Sequence, residues 1–230
     1  MANFDYVKIR LMLILASSSP RRRALLSLLG LKFRVQTSDI DESIVNGEPA
    51  RDYVLRLATG KSLAINPLSS DHQVIIAADT AVVDKGQILG KPTSQAHAKE
   101  MLTQLRNRSH HVLSGIAVRD TRNDEILTDL SSTQVEMRNY GEQELEAYVA
   151  SGDPMDKAGA YAIQHTGFNP VAQITGCYAN VVGLPLCHLA QLLNRFGVNI
   201  PEEATRGCRL NGGYRCQLME KINAMEAGNQ

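Results

Sequence analysis

Ten residues near the middle of the chain, Val74 to Val83, are apolar apart from Asp79 and Thr80. A run this continuous, without polar alternation, fits a strand covered on both faces, which a lone hairpin or a one-sided sheet does not provide. It requires helices on either side of a sheet, and a chain of 230 residues with 43% hydrophobic content can supply both layers and their core.

The flanking pattern agrees, because strand-like and helix-like segments alternate without an internal repeat, and the fold class is α/β. Ile9 to Ala16 reads as a strand and Ser17-Ser18-Ser19-Pro20 as a turn. A helix runs from Pro20 to Leu29 and closes at Gly30, with Ser19 placed to cap and Pro20 at the first helical position. A short strand over Phe33 to Thr37 leads through an acidic loop, Asp39-Ile40-Asp41-Glu42, to a helix from about Pro49 to Ile65. After the central strand, the turn Asp84-Lys85-Gly86 returns the chain through Ile88-Leu89, and Ser94 caps the next helix. Strands over His111 to Arg119 and Ile126 to Met137 precede a helix from Glu142 to Ala150. Asp153 to Gly183 reads as short strands around Tyr161 to Ile163 and Val171 to Ile174, and a last helix spans Pro185 to Phe196. Residues 1–200 thus form one domain, and 201–230 a peripheral C-terminal appendage.

Charge and cysteine usage narrow the function classes. Lys and Arg (24) balance Asp and Glu (24), Trp is absent and aromatics are 5% of residues, which argues against nucleic-acid binding through a basic face or stacking platforms. No stretch approaches the roughly 20 apolar residues of a membrane span. Lys8 and Arg10 before Leu11 to Ala16 imitate a signal peptide, but the apolar run is too short and Arg21, Arg22 and Arg23 follow closely. Cys177, Cys187, Cys208 and Cys216 lack zinc-knuckle spacing, so a reduced, cytoplasmic chain is expected.

Three local anomalies carry chemistry. The turn at Ser17 to Pro20 opens a helix whose free N–H groups, neighbouring hydroxyls and arginines suit a phosphate, although three surface arginines could equally be a solvated face. Lys61 falls on one helical stripe with Val54, Leu57, Ala58 and Ala64, so a lysine occupies the buried face unless it snorkels to water. Asp79 lies within the apolar strand, where a carboxylate must be paired, metal-bound or opened to a cleft. With Glu42 in the acidic loop and Lys91 after the hairpin, these residues form the inventory that holds a polyphosphate and a divalent metal.

Leu15-Ala16-Ser17-Ser18-Ser19-Pro20-Arg21-Arg22, Ile40-Asp41-Glu42, Tyr53-Val54-Leu55-Arg56-Leu57-Ala58 with Lys61, Ala78-Asp79-Thr80, Gly90-Lys91-Pro92, Asp156 to Gln164 and Asn180 to Leu186 together resemble the Maf family of nucleoside triphosphate pyrophosphatases, over about residues 11 to 197. The resemblance implies a mixed, elongated sheet with flanking helices, two lobes around a cleft like the inosine triphosphate pyrophosphatases, and a homodimer. It implies hydrolysis of a nucleoside triphosphate to the monophosphate and pyrophosphate with Mg²⁺, Mn²⁺ or Co²⁺. By position, Ser17, Arg21, Arg22, Lys61 and Lys91 bind phosphates, Glu42 and Asp79 hold the metal, and Asp79 is the proton acceptor. Gln164, with Arg21 and Thr80, implies the branch acting on dTTP and UTP in nucleotide-pool house-cleaning. The alternatives are the 7-methyl-GTP branch and a non-catalytic nucleotide sensor of cell division. Cys177 stands where that family often carries an acid.

Overall fold

The computed structural model describes residues 11–37, 39–67 and 72–200. Lys8 and Arg10, the appendage at 201–230 and its Cys208 and Cys216 lie outside the described residues. The elements run β1 (Met12–Leu15), α1 (Pro20–Ser27), β2 (Phe33–Val35), α2 (Ala50–Leu63), β3 (Gln73–Asp84), β4 (Gln87–Leu89), α3 (Gln95–Leu105), β5 (Ser109–Asp120), β6 (Ile126–Met137), α4 (Glu142–Ala150), β7 (Val171–Thr175), α5 (Tyr178–Val182) and α6 (Leu186–Arg195). The expected caps are present: Ser19 Oγ accepts from the Arg22 amide at 3.4 Å, and Ser94 Oγ from the His97 amide at 3.1 Å.

One seven-stranded sheet, ordered β2-β1-β3-β5-β6-β7 with β4 also on β3, organises the molecule. β1 is parallel to β2 and β3, and the remaining pairings are antiparallel. The central strand is β3, buried on both faces as its composition demands. Val74, Ile76 and Ala78 pack with α1 and α6 residues such as Leu26 and Leu189, whereas Ile75 and Ala77 pack on the other face with Ile65, beside α2.

The three strands of 12 residues, β3, β5 and β6, are long enough to serve two separate cores. One core gathers at the β1 end around α1, α5 and α6; the second, built on Val82, Leu102, Val112, Tyr148 and Phe168, gathers around α3 and α4. Two lobes on a shared elongated mixed sheet are the result. Two segments differ from the sequence reading. Tyr161 to Ile163 forms no strand but enters a turn after two 3₁₀ turns at Asp153–Asp156 and Ala158–Ala160, and the short helix α5 was not foreseen. In a segment this rich in Gly and Pro, side-chain bonds to the sheet fix the path, and local pattern does not reveal them.

Candidate active site

The site lies at a break in sheet pairing. β1 pairs with β3 only as far as Ile76, and β4 joins the same edge at Val82. On that edge Ala77 to Ala81 pair with no strand among the described residues, while β5 pairs continuously along the opposite edge. A cleft of about 730 Å³ opens over this gap, and Ser17, Arg21, Arg22, Glu42, Lys61, Asp79, Thr80, Lys91 and Gln164 all line it. Because successive strand residues point to opposite faces, Asp79 and Thr80 serve two different clusters from adjacent positions.

On the α2 face, Lys61 Nζ lies 2.7 Å from Asp79 Oδ1 and 2.6 Å from Glu42 Oε1. The lysine is 8% exposed and its ammonium ends on carboxylates, so it does not snorkel to water; the stripe also stops there, since Ala64 is exposed. α2 can approach this closely because Gly115, opposite Asp79 in the β3–β5 ladder, has no side chain: a Cβ there would meet the Val54 carbonyl oxygen at 2.5 Å.

The acidic loop is clamped onto the same helix. Tyr53 Oη donates to the Glu42 carbonyl at 3.0 Å, and Arg56 Nη2 donates to the Ser43 carbonyl at 3.0 Å while its guanidinium holds Glu48 at 2.6 and 2.7 Å. Burial pushes the Glu42 carboxyl up, but Lys61, with Lys91 and Arg22, outweighs it and holds the group below its ordinary range. The Tyr53 phenol is pushed up to about 12, first by burial and then by the charges of Asp79 and Glu42.

On the opposite face, Arg22 is fixed at all three nitrogens. Nε donates to the Gly183 carbonyl at 2.9 Å, Nη1 to Ser17 Oγ at 3.4 Å and Nη2 to Thr80 Oγ1 at 3.2 Å. A guanidinium has five N–H donors, so one on each terminal nitrogen remains for a ligand. Burial draws this guanidinium below its ordinary range, opposed by the charge of Asp79. Ser17 Oγ accepts both from Arg22 and from the Ser19 amide at 3.2 Å, which leaves its hydroxyl hydrogen to donate.

The second lobe supplies the facing wall. Arg21 Nη1 reaches across to Asp156 Oδ2 at 3.2 Å, and Lys157 Nζ binds Asp156 Oδ1 at 2.6 Å. Tyr161 Oη lies 2.8 Å from Nε2 of the buried His110, whose ring is pushed down to about 4 chiefly by burial. Lys91 and Gln164 are exposed at the rim, and Arg23, the third arginine of the run, faces solvent away from these contacts.

All nine residues singled out from the sequence therefore meet in one cleft. Sequence reasoning missed Tyr53, Ser114, Asn180, Gly183 and the Asp156–Lys157 pair as parts of the site. Tyr53, Asp156, Lys157, Asn180 and Gly183 lie inside the quoted motifs, which was a usable signal; Ser114, a serine in a strand outside all of them, gives none.

The chain is similar to known proteins along most of its length. A dTTP/UTP pyrophosphatase of Geotalea uraniireducens (strain Rf4) is 45% identical over 185 residues, covering 80% of this chain and 95% of that protein. A dTTP/UTP pyrophosphatase of Methylococcus capsulatus (strain ATCC 33009 / NCIMB 11132 / Bath) is 47% identical over 188 residues, covering 82% and 92%. Among solved structures, a HAM1 protein from Coxiella burnetii superposes with a TM-score of 0.46 at 15% identity, covering 81% of this chain and 100% of that one. Residues 12–196 match the family described as Maf-like protein, and the chain belongs to that family.

Proposed function

We propose that the protein hydrolyses nucleoside triphosphates, dTTP and UTP first among them, to the monophosphate and pyrophosphate by attack of water at the α-phosphorus. The observation that carries this reading is the division of labour at two consecutive residues. Asp79 joins Glu42 through one lysine ammonium on one face of β3, and Thr80 joins a three-point-anchored arginine on the other. A polyphosphate laid over the bare edge between them meets cations along its length and a carboxylate at one end.

The residues take distinct roles. Arg22 offers its two remaining N–H groups and Ser17 its hydroxyl hydrogen to phosphate oxygens, and Lys61, Lys91 and Arg21 add charge that stabilises the departing pyrophosphate. Asp79 accepts the proton of the attacking water. Glu42 and Asp79 are hard oxygen donors, and among the described residues no group of three or more His, Cys, Asp or Glu side chains forms a self-sufficient cage. These two carboxylates would hold a hard divalent cation such as Mg²⁺, Mn²⁺ or Co²⁺. Such a cation, when bound, neutralises charge on the phosphate oxygens. Gln164, at the rim near Tyr161, supplies a donor and an acceptor for a pyrimidine edge.

This reading extends to nucleotide-pool house-cleaning by a cytoplasmic homodimer. Among the described residues no helix is long and apolar enough to cross a membrane. The test is pyrophosphate release from dTTP, UTP, CTP, GTP and 7-methyl-GTP with Mg²⁺ or Mn²⁺, comparing the parent with Asp79→Asn. Cleavage of dTTP and UTP with a loss of at least about two orders of magnitude in the variant is the expected result. Tight binding of dTTP without pyrophosphate release from any of the five would overturn it in favour of a sensor.

A further inference from the structure

Ser114 sits in the middle of β5, directly opposite Thr80 and on the same face of the sheet. It is fully buried, and its Oγ is 2.8 Å from Thr80 Oγ1 and 3.2 Å from the Asn180 carbonyl. Either hydroxyl could in isolation donate to the other, yet the surroundings select one direction. The Asn180 carbonyl lies in α5, and the amides that close this helix, those of Gly183 and Leu184, both go to Ala179. Ser114 is therefore the donor that satisfies this buried carbonyl. Its single hydrogen is spent there, so it must accept from Thr80.

In the reverse order the protein acceptor left for the Thr80 hydrogen among the described residues is the Gly183 carbonyl at 3.5 Å, beyond the ordinary O–H···O range and already taken by Arg22 Nε at 2.9 Å. It would also strand the Asn180 carbonyl. The hydrogens thus run from Thr80 to Ser114 to Asn180, and Thr80 Oγ1 presents a lone pair to Arg22 Nη2.

From this chain we infer that Ser114 is a positioning residue for nucleotide binding. By taking up the Thr80 hydrogen it leaves Thr80 facing Arg22 as an acceptor alone, which fixes the plane of the guanidinium and aims its two remaining N–H groups at the phosphates. Thr80 on this view contributes to binding through Arg22 and donates nothing to the nucleotide itself. Asn180 holds the far end: its Nδ2 donates to the Val112 carbonyl and to Thr133 Oγ1, both at 2.9 Å, so the accepting carbonyl is pinned to the sheet that carries Ser114.

The inference rests on the phosphate-binding reading of Arg22, and its test separates the two. The dissociation constant of the non-hydrolysable α,β-imido-dTTP and the kcat and KM for dTTP are measured for the parent, Ser114→Ala, Thr80→Val and the double variant, with Ser114→Thr as the conservative rescue. If Ser114 acts through Thr80, Ser114→Ala weakens analogue binding about ten-fold and raises KM alike, with kcat within about three-fold. The double variant is then no worse than Thr80→Val alone, and Ser114→Thr returns to the parent. Multiplying losses in the double variant, or unchanged binding by Ser114→Ala, overturns the inference. Should Ser114→Ala not fold, Ser114→Thr and Ser114→Cys decide it: the hydroxyl must restore binding and the weakly bonding thiol must not. Absence of turnover in the parent would defeat the pyrophosphatase reading while leaving the binding cycle to judge Ser114.

Discussion

Asp79 and Gly115 are direct partners in the β3–β5 ladder, and the absence of a side chain on the glycine is what lets α2 carry Lys61 to the aspartate. Gly115→Ala places a methyl group 2.5 Å from the Val54 carbonyl oxygen, in backbone that cannot turn aside. Stability should fall by about 1–3 kcal/mol, as overpacking usually costs. Activity should fall further than Asp79 itself would suggest, since Lys61 is displaced from it. Urea unfolding together with dTTP turnover checks this; a variant of parental stability would show that α2 is freer than the contact implies.

Lys61 bridges two carboxylates with one positive charge, so Lys61→Met removes the ammonium that the buried Asp79 pairs with. In EDTA the variant should lose about 3 kcal/mol of stability, the cost of breaking a buried pair on one side. A divalent cation should restore much of that, because it can stand where the ammonium stood between Glu42 and Asp79. The check is the unfolding midpoint with and without Mn²⁺, in which the variant gains more from the metal than the parent does. Equal gains would count against a shared cation and lysine site.

Arg22→Lys keeps the charge and loses the geometry. One ammonium cannot reproduce three separately aimed bonds to Gly183, Ser17 and Thr80 and still offer two donors to a ligand. Steady-state kinetics should show kcat/KM for dTTP lower by about 10- to 100-fold, or some 1.4–2.8 kcal/mol of transition-state stabilisation. Arg23→Ala, on the solvent face of the same helix, should remain within about two-fold.

His110 makes the folded state sensitive to mild acid. Its ring titrates at about 4 when folded, below the ordinary 6.5, mainly because it is buried. Between those values the unfolded chain binds the proton and the folded chain does not, so stability is intact above about pH 6.5 and is lost as pH falls towards 4. The full loss is roughly 3 kcal/mol. Denaturant unfolding at several pH values should show this slope in the parent and a flatter one in His110→Gln; identical slopes would mean the ring is already solvated.

What could be read beforehand divides by mechanism. Asp79 and Lys61 stood out because charge interrupts an apolar pattern, and such an interruption must be resolved by partners that the pattern cannot name. The partners turned out to be each other and Glu42. The long strands and most helices followed from periodicity and capping at Ser19 and Ser94. Ser114 did not, because a small polar residue within a strand disturbs no pattern and its carbonyl partner lies 66 residues away. Tyr161 to Ile163 was misread as a strand because two lobes share its packing: Tyr161 answers to His110 on β5, and nothing local to it dictates that.

Among the described residues, no strand pairs with Ala77 to Ala81 on the β1 side of β3. Exposed strand edges are templates onto which other chains can add, and proteins usually cover or blunt them. Here the opening is five residues long, stopped by β1 on one side and β4 on the other, too short a slot for an incoming strand to gain much. It is also flanked by Arg22, Lys61 and Asp79, whose desolvation would oppose a backbone settling between them. The same charges that would grip a nucleotide thus guard the sheet against self-association, and variants that neutralise them carry an aggregation risk separate from lost catalysis.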